Sequence, residues 1–374
     1  MKLQRKNRRA LAFGALAVSG ALALTACGSD DTSDGSGSSA SATAAAGNIK
    51  CDDAKGQLLA DGSSAQKNAI DAWVKQFTAA CGVQINYKGS GSGAGITAFT
   101  NGQVAFAGSD SALKPEEVTA SKSVCSGGQA IDLPMVGGPI AVGFNVSGVD
   151  KLTLNAETLA KIFNNQITNW NDPAIKALNK DVTLPDLKIQ AFHRSDESGT
   201  TDNFTKYLID QAKDSFPYEG GKAWQAKGGQ SASGSSGVAQ QVKQTNGAIG
   251  YFELSYAKDG IKPVSLDTGA AAPVEATVAN ATKAIAEAKV VGTGSDLALK
   301  LNYGTKADGA YPMVLVTYEI ACDKGNKADT LAGTKAFLRY IASEDGQSVL
   351  EANDYAPIPD DIIAKVRTTI EGLS

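Results

Sequence analysis

Apolar and β-branched runs alternate with helical periods in the chain from about residue 55 onward. Residues 65–81 carry apolar side chains at spacings of three and four, which predicts an amphipathic helix, and residues 94–102 predict a shorter one. Strands are predicted before, between and after these helices. This order is typical of a parallel α/β sheet. The predicted strands are residues 56–62, 83–89 and 104–110, and the apolar positions of the first helix are Ile70, Trp73, Val74 and Phe77.

The same alternation continues to the end of the chain, where two helices are predicted around 330–350 and 360–372. Aromatic residues at helical spacing, such as Phe163 and Phe337, are interpreted as core packing. The further predicted strands are 139–146, 187–194, 247–254 and 311–320, and the further predicted helices are 155–165 and 201–213.

The first 26 residues have the pattern of an export signal. Five Lys and Arg residues precede an apolar run from Leu11 to Leu24, which is too short for a comfortable membrane span. Leu24-Thr25-Ala26-Cys27 resembles a bacterial lipoprotein box, in which Cys27 becomes the diacylated N-terminus. The alternative is an ordinary secretory signal that leaves Cys27 as an odd thiol.

Residues 27–47 contain no large apolar side chain and are predicted to form a flexible tether, so the folded part begins near residue 48. Removal of residues 1–26 changes the net charge from −4 to −9, with 30 Lys and Arg against 39 Asp and Glu. An acidic chain of this kind is disfavoured as a nucleic-acid-binding protein.

Four cysteines follow Cys27, an even number in a chain predicted to be exported, which favours two disulfides over metal binding. Three connectivities can be drawn. Cys51 and Cys81 each precede a predicted strand, and parallel neighbouring strands would bring them to one edge of the sheet, so this pair is favoured. Cys125 and Cys322 would then form the other pair. With a single histidine and no CxxC, a metal site is not expected.

Four loops rich in Gly, Ser, Thr or Asp each follow a predicted strand: residues 60–66, 89–95, 107–113 and 194–200. In open α/β sheets, loops at the carboxyl ends of strands line the ligand crevice. Three of the loops also lead into a predicted helix, whose N-terminal N–H groups favour an anion. Each loop alone is weak evidence, because such a stretch is more often just a helix cap.

Two other chemistries were weighed for these loops. Residues 89–94 fit the dinucleotide fingerprint GxGxxG/A, with Asp110 at a suitable distance, but an exported protein has little access to such cofactors. Nucleophilic catalysis lacks a GxSxG motif, and the one histidine, His193, is predicted to point away from Arg194 by strand alternation.

Eight stretches of the chain, taken in order, resemble the phosphate-binding proteins of bacterial phosphate-specific ABC transporters, the PstS family. The resemblance covers essentially the whole folded region. The first loop departs from the family by having Ser64-Ala65 where a Thr-Phe pair is common, and His193 stands where an arginine is often seen. The matching stretches are "ADGSSAQ", "INYKGSGSGAGITAF", "VAFAGSDSAL", "LPMVGGPIAVGFN", "ITNWNDPAI", "RSDESGTTDNFTKYL", "GAIGYFELSYA" and "YAPIP".

The resemblance implies a set of phosphate ligands from all four loops, with Asp196 either orienting Arg194 or capping the next helix. Asp110 would distinguish phosphate from sulfate, because it can accept the proton that phosphate retains. The implied ligands are Ser63, Ser64, Ala65, Ser92, Asp110, Arg194, Ser198, Gly199 and Thr200.

The resemblance also implies an α/β, two-lobed periplasmic-binding-protein (Venus flytrap) fold of type II with two hinge crossings. Lobe one would comprise residues 48–138 plus 312–374, and lobe two residues 139–311. The protein would be a monomeric, lipid-anchored receptor on the extracytoplasmic face of the cell membrane, without cofactor or enzymatic activity. It would deliver phosphate to the membrane permease of an ABC transporter.

Two alternatives are kept: a receptor for another tetrahedral oxyanion, sulfate or molybdate, and an exported phosphatase. A phosphatase would need a metal cluster or an activated nucleophile, for which the sequence offers no spacing.

Overall fold

The structure of the protein is a computed structural model, which describes residues 49–374. The predicted signal peptide (1–26), the lipidation site at Cys27, the whole of the predicted tether (27–47) and residue 48 lie outside the described residues.

A nine-stranded mixed sheet forms the centre of residues 49–374, in the order β2-β1-β3-β13-β4-β8-β6-β7, with β9 alongside β4. Two further pairs, β5 with β10 and β11 with β12, lie outside it. The strands are β1 Gln57–Gly62, β2 Gln84–Tyr87, β3 Phe106–Ser109, β4 Ala130–Asn145, β5 Thr153–Asn155, β6 Gln190–Arg194, β7 Gln230–Ala232, β8 Ala248–Glu253, β9 Lys262–Pro263, β10 Ser265–Asp267, β11 Lys289–Val290, β12 Leu299–Lys300 and β13 Val314–Cys322.

The first part of the chain has the predicted strand–helix alternation. Strand β1 pairs in parallel with β2 on one side and β3 on the other. The intervening helix α1 buries Ile70, Trp73 and Phe77, and it ends at Gly82, whose φ of 69° is readily adopted by glycine. The predicted parallel α/β arrangement is therefore confirmed here.

The long strand β4 connects the two halves of the sheet. Its residues 130–139 pair antiparallel with β13, and its residues 140–145 pair antiparallel with β8. All but the last of its 16 residues are buried, as expected for a strand covered on both faces. Strand β4 passes from one partner to the other between Pro139 and Ile140.

Helices cover the sheet, and the one predicted around 330–350 is two helices in the structure. Ser343 accepts a hydrogen bond from the Gly346 N–H and caps the second of them, which separates it from the first. The helices are α1 Lys67–Cys81, α2 Ser92–Thr100, α3 Pro115–Ser121, α4 Ala156–Phe163, α5 Pro173–Leu178, α6 Gly199–Ala212, α7 Gly234–Gln244, α8 Val278–Ile285, α9 Ala328–Ile341, α10 Glu344–Glu351 and α11 Asp360–Gly372.

Two disulfides connect distant parts of the described chain. Cys51 pairs with Cys81 at a Cα–Cα distance of 5.3 Å, and Cys125 pairs with Cys322 at 5.4 Å. This is the connectivity favoured from the predicted strands. The second bridge closes a sequence separation of 197 residues and ties the chain before β4 to the end of β13.

Within residues 49–374, no helix has both the length and the apolar character needed to cross a bilayer. The same part of the chain contains no group of three His, Cys, Asp or Glu side chains arranged to hold a metal ion.

Candidate functional site

Three of the four predicted loops lie at one edge of the sheet, because they follow the parallel strands β1, β2 and β3. The ends of β1 and β3 approach so closely that only glycine fits: a Cβ on Gly62 would lie 2.0 Å from the Gly108 carbonyl oxygen. The loops lead into α1, α2 and α3, so three helix N-termini begin near this edge.

The fourth loop joins β6 to α6 and meets the second loop. Ser198 caps α6 by accepting the Thr201 N–H at 3.2 Å. The N–H of Gly199 donates to Ser92 Oγ at 3.1 Å, and the N–H of Gly93 donates to the Glu197 carbonyl at 3.0 Å. The structure thus brings together segments that are about 100 residues apart in sequence.

Asp110 lies at the centre of the site with only 3% of its surface exposed. Its Oδ1 accepts the Thr317 hydroxyl at 2.8 Å, and its Oδ2 accepts the Thr200 hydroxyl at 3.3 Å. Burial raises the pKa of Asp110, against the hydrogen bonds from Ser63, Thr317 and Thr200 and the charge of Arg194. Lys114, not Asp110, occupies the N-cap position of helix α3.

Arg194 is 2% exposed and is oriented by Asp196. Its Nε donates to Asp196 Oδ1 at 2.8 Å and its Nη2 donates to Asp196 Oδ2. Burial opposes ionisation of Asp196, but the hydrogen bonds and charge of Arg194 and the Gly234 N–H hold its pKa below the ordinary value. Of the two roles considered for Asp196, the structure shows pairing with Arg194, while Ser198 caps the helix.

Asp196 occupies the Nε–Nη2 edge of the Arg194 guanidinium. The Nη1–Nη2 edge is directed at the site. Nη1 lies 3.5 Å from Thr200 Oγ1 and 3.4 Å from Ser235 Oγ, both long contacts. The free Nη1–Nη2 edge retains the fork geometry that matches two oxygens of one oxyanion.

The first loop closes the other side of the site. Ser63 Oγ accepts the Ala65 N–H at 3.0 Å, which folds the loop tightly, and Ala65 is fully buried. Ser64 Oγ accepts the Ser235 N–H at 3.0 Å. The Ser64 carbonyl accepts the Tyr256 hydroxyl at 2.8 Å, so this loop is also held from the distant segment that follows β8.

Three residues of the site were not predicted from the sequence. Ser235 lies in "SGSSG", residues 233–237, which follows β7 and leads into α7, so the pattern used for the other loops also applies to it. Asn203 donates to the Asp110 carbonyl at 2.7 Å and to the Gly199 carbonyl at 2.8 Å. Thr317 lies within β13, where no local pattern distinguishes it from other strand residues.

His193 lies outside this cluster. Its ring stacks on Trp224 with a centroid distance of 4.9 Å, and burial lowers its pKa. The neighbouring Arg194 points to the other side of the strand, as alternation predicts.

These side chains can hold a tetrahedral oxyanion that retains a proton. The helix N-termini and hydroxyls supply neutral donors, Arg194 supplies one cation, and Asp110 supplies one acceptor. The arrangement contains no pairing of a nucleophile with a general base.

Comparisons with known proteins identify the family of this chain. A model of the PBP superfamily domain matches residues 38–345. The phosphate-binding protein PstS3 of Mycobacterium bovis is 42% identical over 98% of this chain and 99% of its own length. The phosphate-binding protein PstS 2 of Mycobacterium tuberculosis is 38% identical over 99% of this chain and 100% of its own.

A solved structure shares the fold. The phosphate-binding protein from Stenotrophomonas maltophilia has a TM-score of 0.65 and 20% identity, covering 83% of this chain and 93% of its own. The curated relatives are binding proteins rather than enzymes. The two-lobed periplasmic-binding-protein-like fold and the 42% sequence identity to a PstS protein over nearly the full length show that the chain belongs to the PstS family of phosphate-binding proteins.

Proposed function

We propose that this protein binds inorganic phosphate at the site around Asp110 and Arg194. The observation that carries the proposal is a buried carboxylate held among hydroxyl donors in a site that also contains a cation and helix N-termini. A fully deprotonated anion would meet an acceptor it cannot satisfy there, whereas phosphate near neutral pH offers an O–H to Asp110. The proposed ligands are Ser63, Ser64, Ala65, Ser92, Asp110, Arg194, Ser198, Gly199 and Thr200, joined by Ser235.

Phosphate would bind between two lobes, residues 48–138 plus 312–374 and residues 139–311. Hydrogen bonds link the two proposed lobes at the site, among them Ser92 with Gly199 and Ser64 with Ser235. The ion pair of Lys222 with Glu117 also links the two proposed lobes. A ligand that binds both lobes favours the closed arrangement by its differential contacts.

The loaded receptor would deliver phosphate to the membrane permease of an ABC transporter, working as a monomer on the extracytoplasmic face. The PstS family membership and the two disulfides support this location. The diacylated Cys27 would hold the protein at the membrane, and residues 27–47 would be the tether.

Calorimetric titration of the purified wild-type protein with phosphate, sulfate and molybdate tests the function. We expect a phosphate-dependent heat with one site per chain and no detectable binding of sulfate or molybdate. A preference for sulfate or molybdate would instead support the alternative receptor.

Cys27→Ala should abolish lipidation, because the thiol is the acylated group, and should release the protein to the medium or leave it uncleaved. Fractionation and mass spectrometry of the N-terminus measure this outcome, with Cys27→Ser as a matched control that keeps the size of the side chain. If processed Cys27→Ala protein stays at the membrane, the anchor lies elsewhere.

A further inference from the structure

The carboxyl group of Glu319, in β13, is buried without a hydrogen-bond partner. None of the residue is exposed, and neither carboxyl oxygen forms a hydrogen bond within residues 49–374. Burial raises the pKa of Glu319 well above its ordinary value, with the nearby Gln66 amide opposing this rise and the charge of Asp110 adding to it. An ionised carboxylate is strongly disfavoured in such surroundings, which favours the protonated form of Glu319.

The side chain of Gln66 lies close enough to Glu319 to affect its pKa. Gln66 is fully buried, and its Oε1 also has no partner among the described residues. Glu319 lies opposite Gly108 in the β13–β3 pair, and opposed residues of antiparallel strands point to the same face. A Cβ on Gly108 would lie 2.0 Å from Gln66 Nε2 and 2.5 Å from Tyr87 Oη, so the missing side chain makes room for both groups.

The amide nitrogen of Gln66 connects through Tyr87 to Ser63, within the first loop of the site. Gln66 Nε2 donates to Tyr87 Oη at 3.0 Å, and the Tyr87 hydroxyl donates to the Ser63 carbonyl at 2.8 Å. The peptide between Ser63 and Ser64 is planar, so fixing its carbonyl on one side directs the Ser64 N–H to the opposite side. Donation from Glu319 to Gln66 Oε1 would complete a chain of hydrogen bonds that all run in one direction and strengthen one another.

We propose that Glu319 is a positioning residue for anion binding: its O–H donates to Gln66 Oε1, and through Gln66 and Tyr87 it fixes the peptide of the first binding loop. Glu319 does not touch the anion. This inference rests on the proposed function, since the loop it positions is the proposed phosphate loop.

Two substitutions distinguish the effect of the Glu319 hydrogen-bond donor on phosphate binding from the effect of side-chain size. Glu319→Gln supplies an amide N–H donor of the same size, and it should bind phosphate within about threefold of wild type at neutral pH. Glu319→Met fills the space without a donor, and it should bind about tenfold more weakly, the usual effect of one lost hydrogen bond. Calorimetry measures binding, and thermal unfolding identifies any variant that has failed to fold.

The dependence on pH gives a readout that a merely structural role would not produce. Loss of the Glu319 proton on raising the pH removes the donor and places a charge near Asp110, so wild-type affinity should fall at alkaline pH relative to Glu319→Gln. The titratable groups that face Glu319 are Tyr87 and Asp110. Free phosphate titrates identically in both experiments, so its contribution cancels in the ratio.

Two further measurements test the chain itself. Tyr87→Phe should weaken binding by a similar factor, and Glu319→Met with Tyr87→Phe should lose little more than either alone, because each substitution breaks the same chain. The infrared difference spectrum of wild type minus Glu319→Gln, taken at neutral pH without phosphate, should contain the carbonyl band of a protonated carboxylic acid.

The inference is overturned if wild type binds phosphate and Glu319→Met binds equally well, if Glu319→Gln loses as much as Glu319→Met, or if the difference spectrum contains carboxylate bands. A wild-type protein that binds no phosphate at any pH overturns the proposed function itself, which distinguishes the two failures.

Discussion

Wild-type protein is expected to bind phosphate roughly 10⁴-fold more tightly than sulfate, and Asp110→Asn should remove most of that preference. Near neutral pH, the proposed site would let the O–H of phosphate donate a charge-assisted hydrogen bond to the Asp110 carboxylate. Sulfate has no proton to donate, so its oxygen would face a buried acceptor. The asparagine amide can donate to either anion, and the ratio of the two dissociation constants should fall by at least 100-fold.

The same preference should weaken on acidification. Burial raises the pKa of Asp110, so its protonation begins at a higher pH than that of an exposed aspartate. Below this pKa the carboxyl group of Asp110 is protonated, and its O–H can donate a hydrogen bond to a sulfate oxygen. Sulfate affinity relative to phosphate should therefore rise as the pH falls in wild type and change much less in Asp110→Asn.

Calorimetric titration of both anions at several pH values measures these effects. Thr317→Val is a suitable control, because it removes one donor to Asp110 but keeps the carboxylate. It should weaken phosphate binding and leave the preference at pH 8 largely intact. Equal binding of sulfate and phosphate by wild type, or an unchanged ratio in Asp110→Asn, would contradict the role of this residue.

Arg194→Met should weaken phosphate binding at least tenfold without unfolding the protein. Hydrogen bonds to charged groups contribute about 1.5–3 kcal/mol each, and the free guanidinium edge can form two. The substitution also leaves Asp196 without its cation, in a side chain that is 14% exposed. If Asp196 stays ionised, its charge repels the anion and the loss should approach about 100-fold.

Three comparison variants separate these contributions. Arg194→Met combined with Asp196→Asn should recover part of the affinity, because the unpaired charge is gone. Arg194→Lys keeps the charge without the fork and should lie between wild type and Arg194→Met. Arg339→Met removes a surface arginine that pairs with Asp52 and Glu371, and it should bind as wild type does. Wild-type affinity in Arg194→Met would mean that Arg194 does not contact the anion.

Local pattern predicts many of the elements but not the helices α3, α5, α7 and α8. The periodicity of residues 65–81 predicts α1, and the Gly- and Ser-rich segments after β1, β2, β3 and β6 predict loops at strand ends, because turn chemistry and amphipathic periods depend on near neighbours. The pattern joined α9 and α10 into one helix, since a cap such as Ser343 is recognised by its hydrogen bond rather than by composition.

What the sequence by itself determined is the strand–helix order of the first part of the chain, the loops that carry the candidate ligands, and the resemblance that points to phosphate. Only the tertiary structure decided which donors meet Asp110, that Asp196 pairs with Arg194, and that Glu319 lies beside Gln66. The reason is physical: Thr317 is 207 residues from Asp110 in sequence, and such a contact depends on strand pairing across the sheet, which no local window contains.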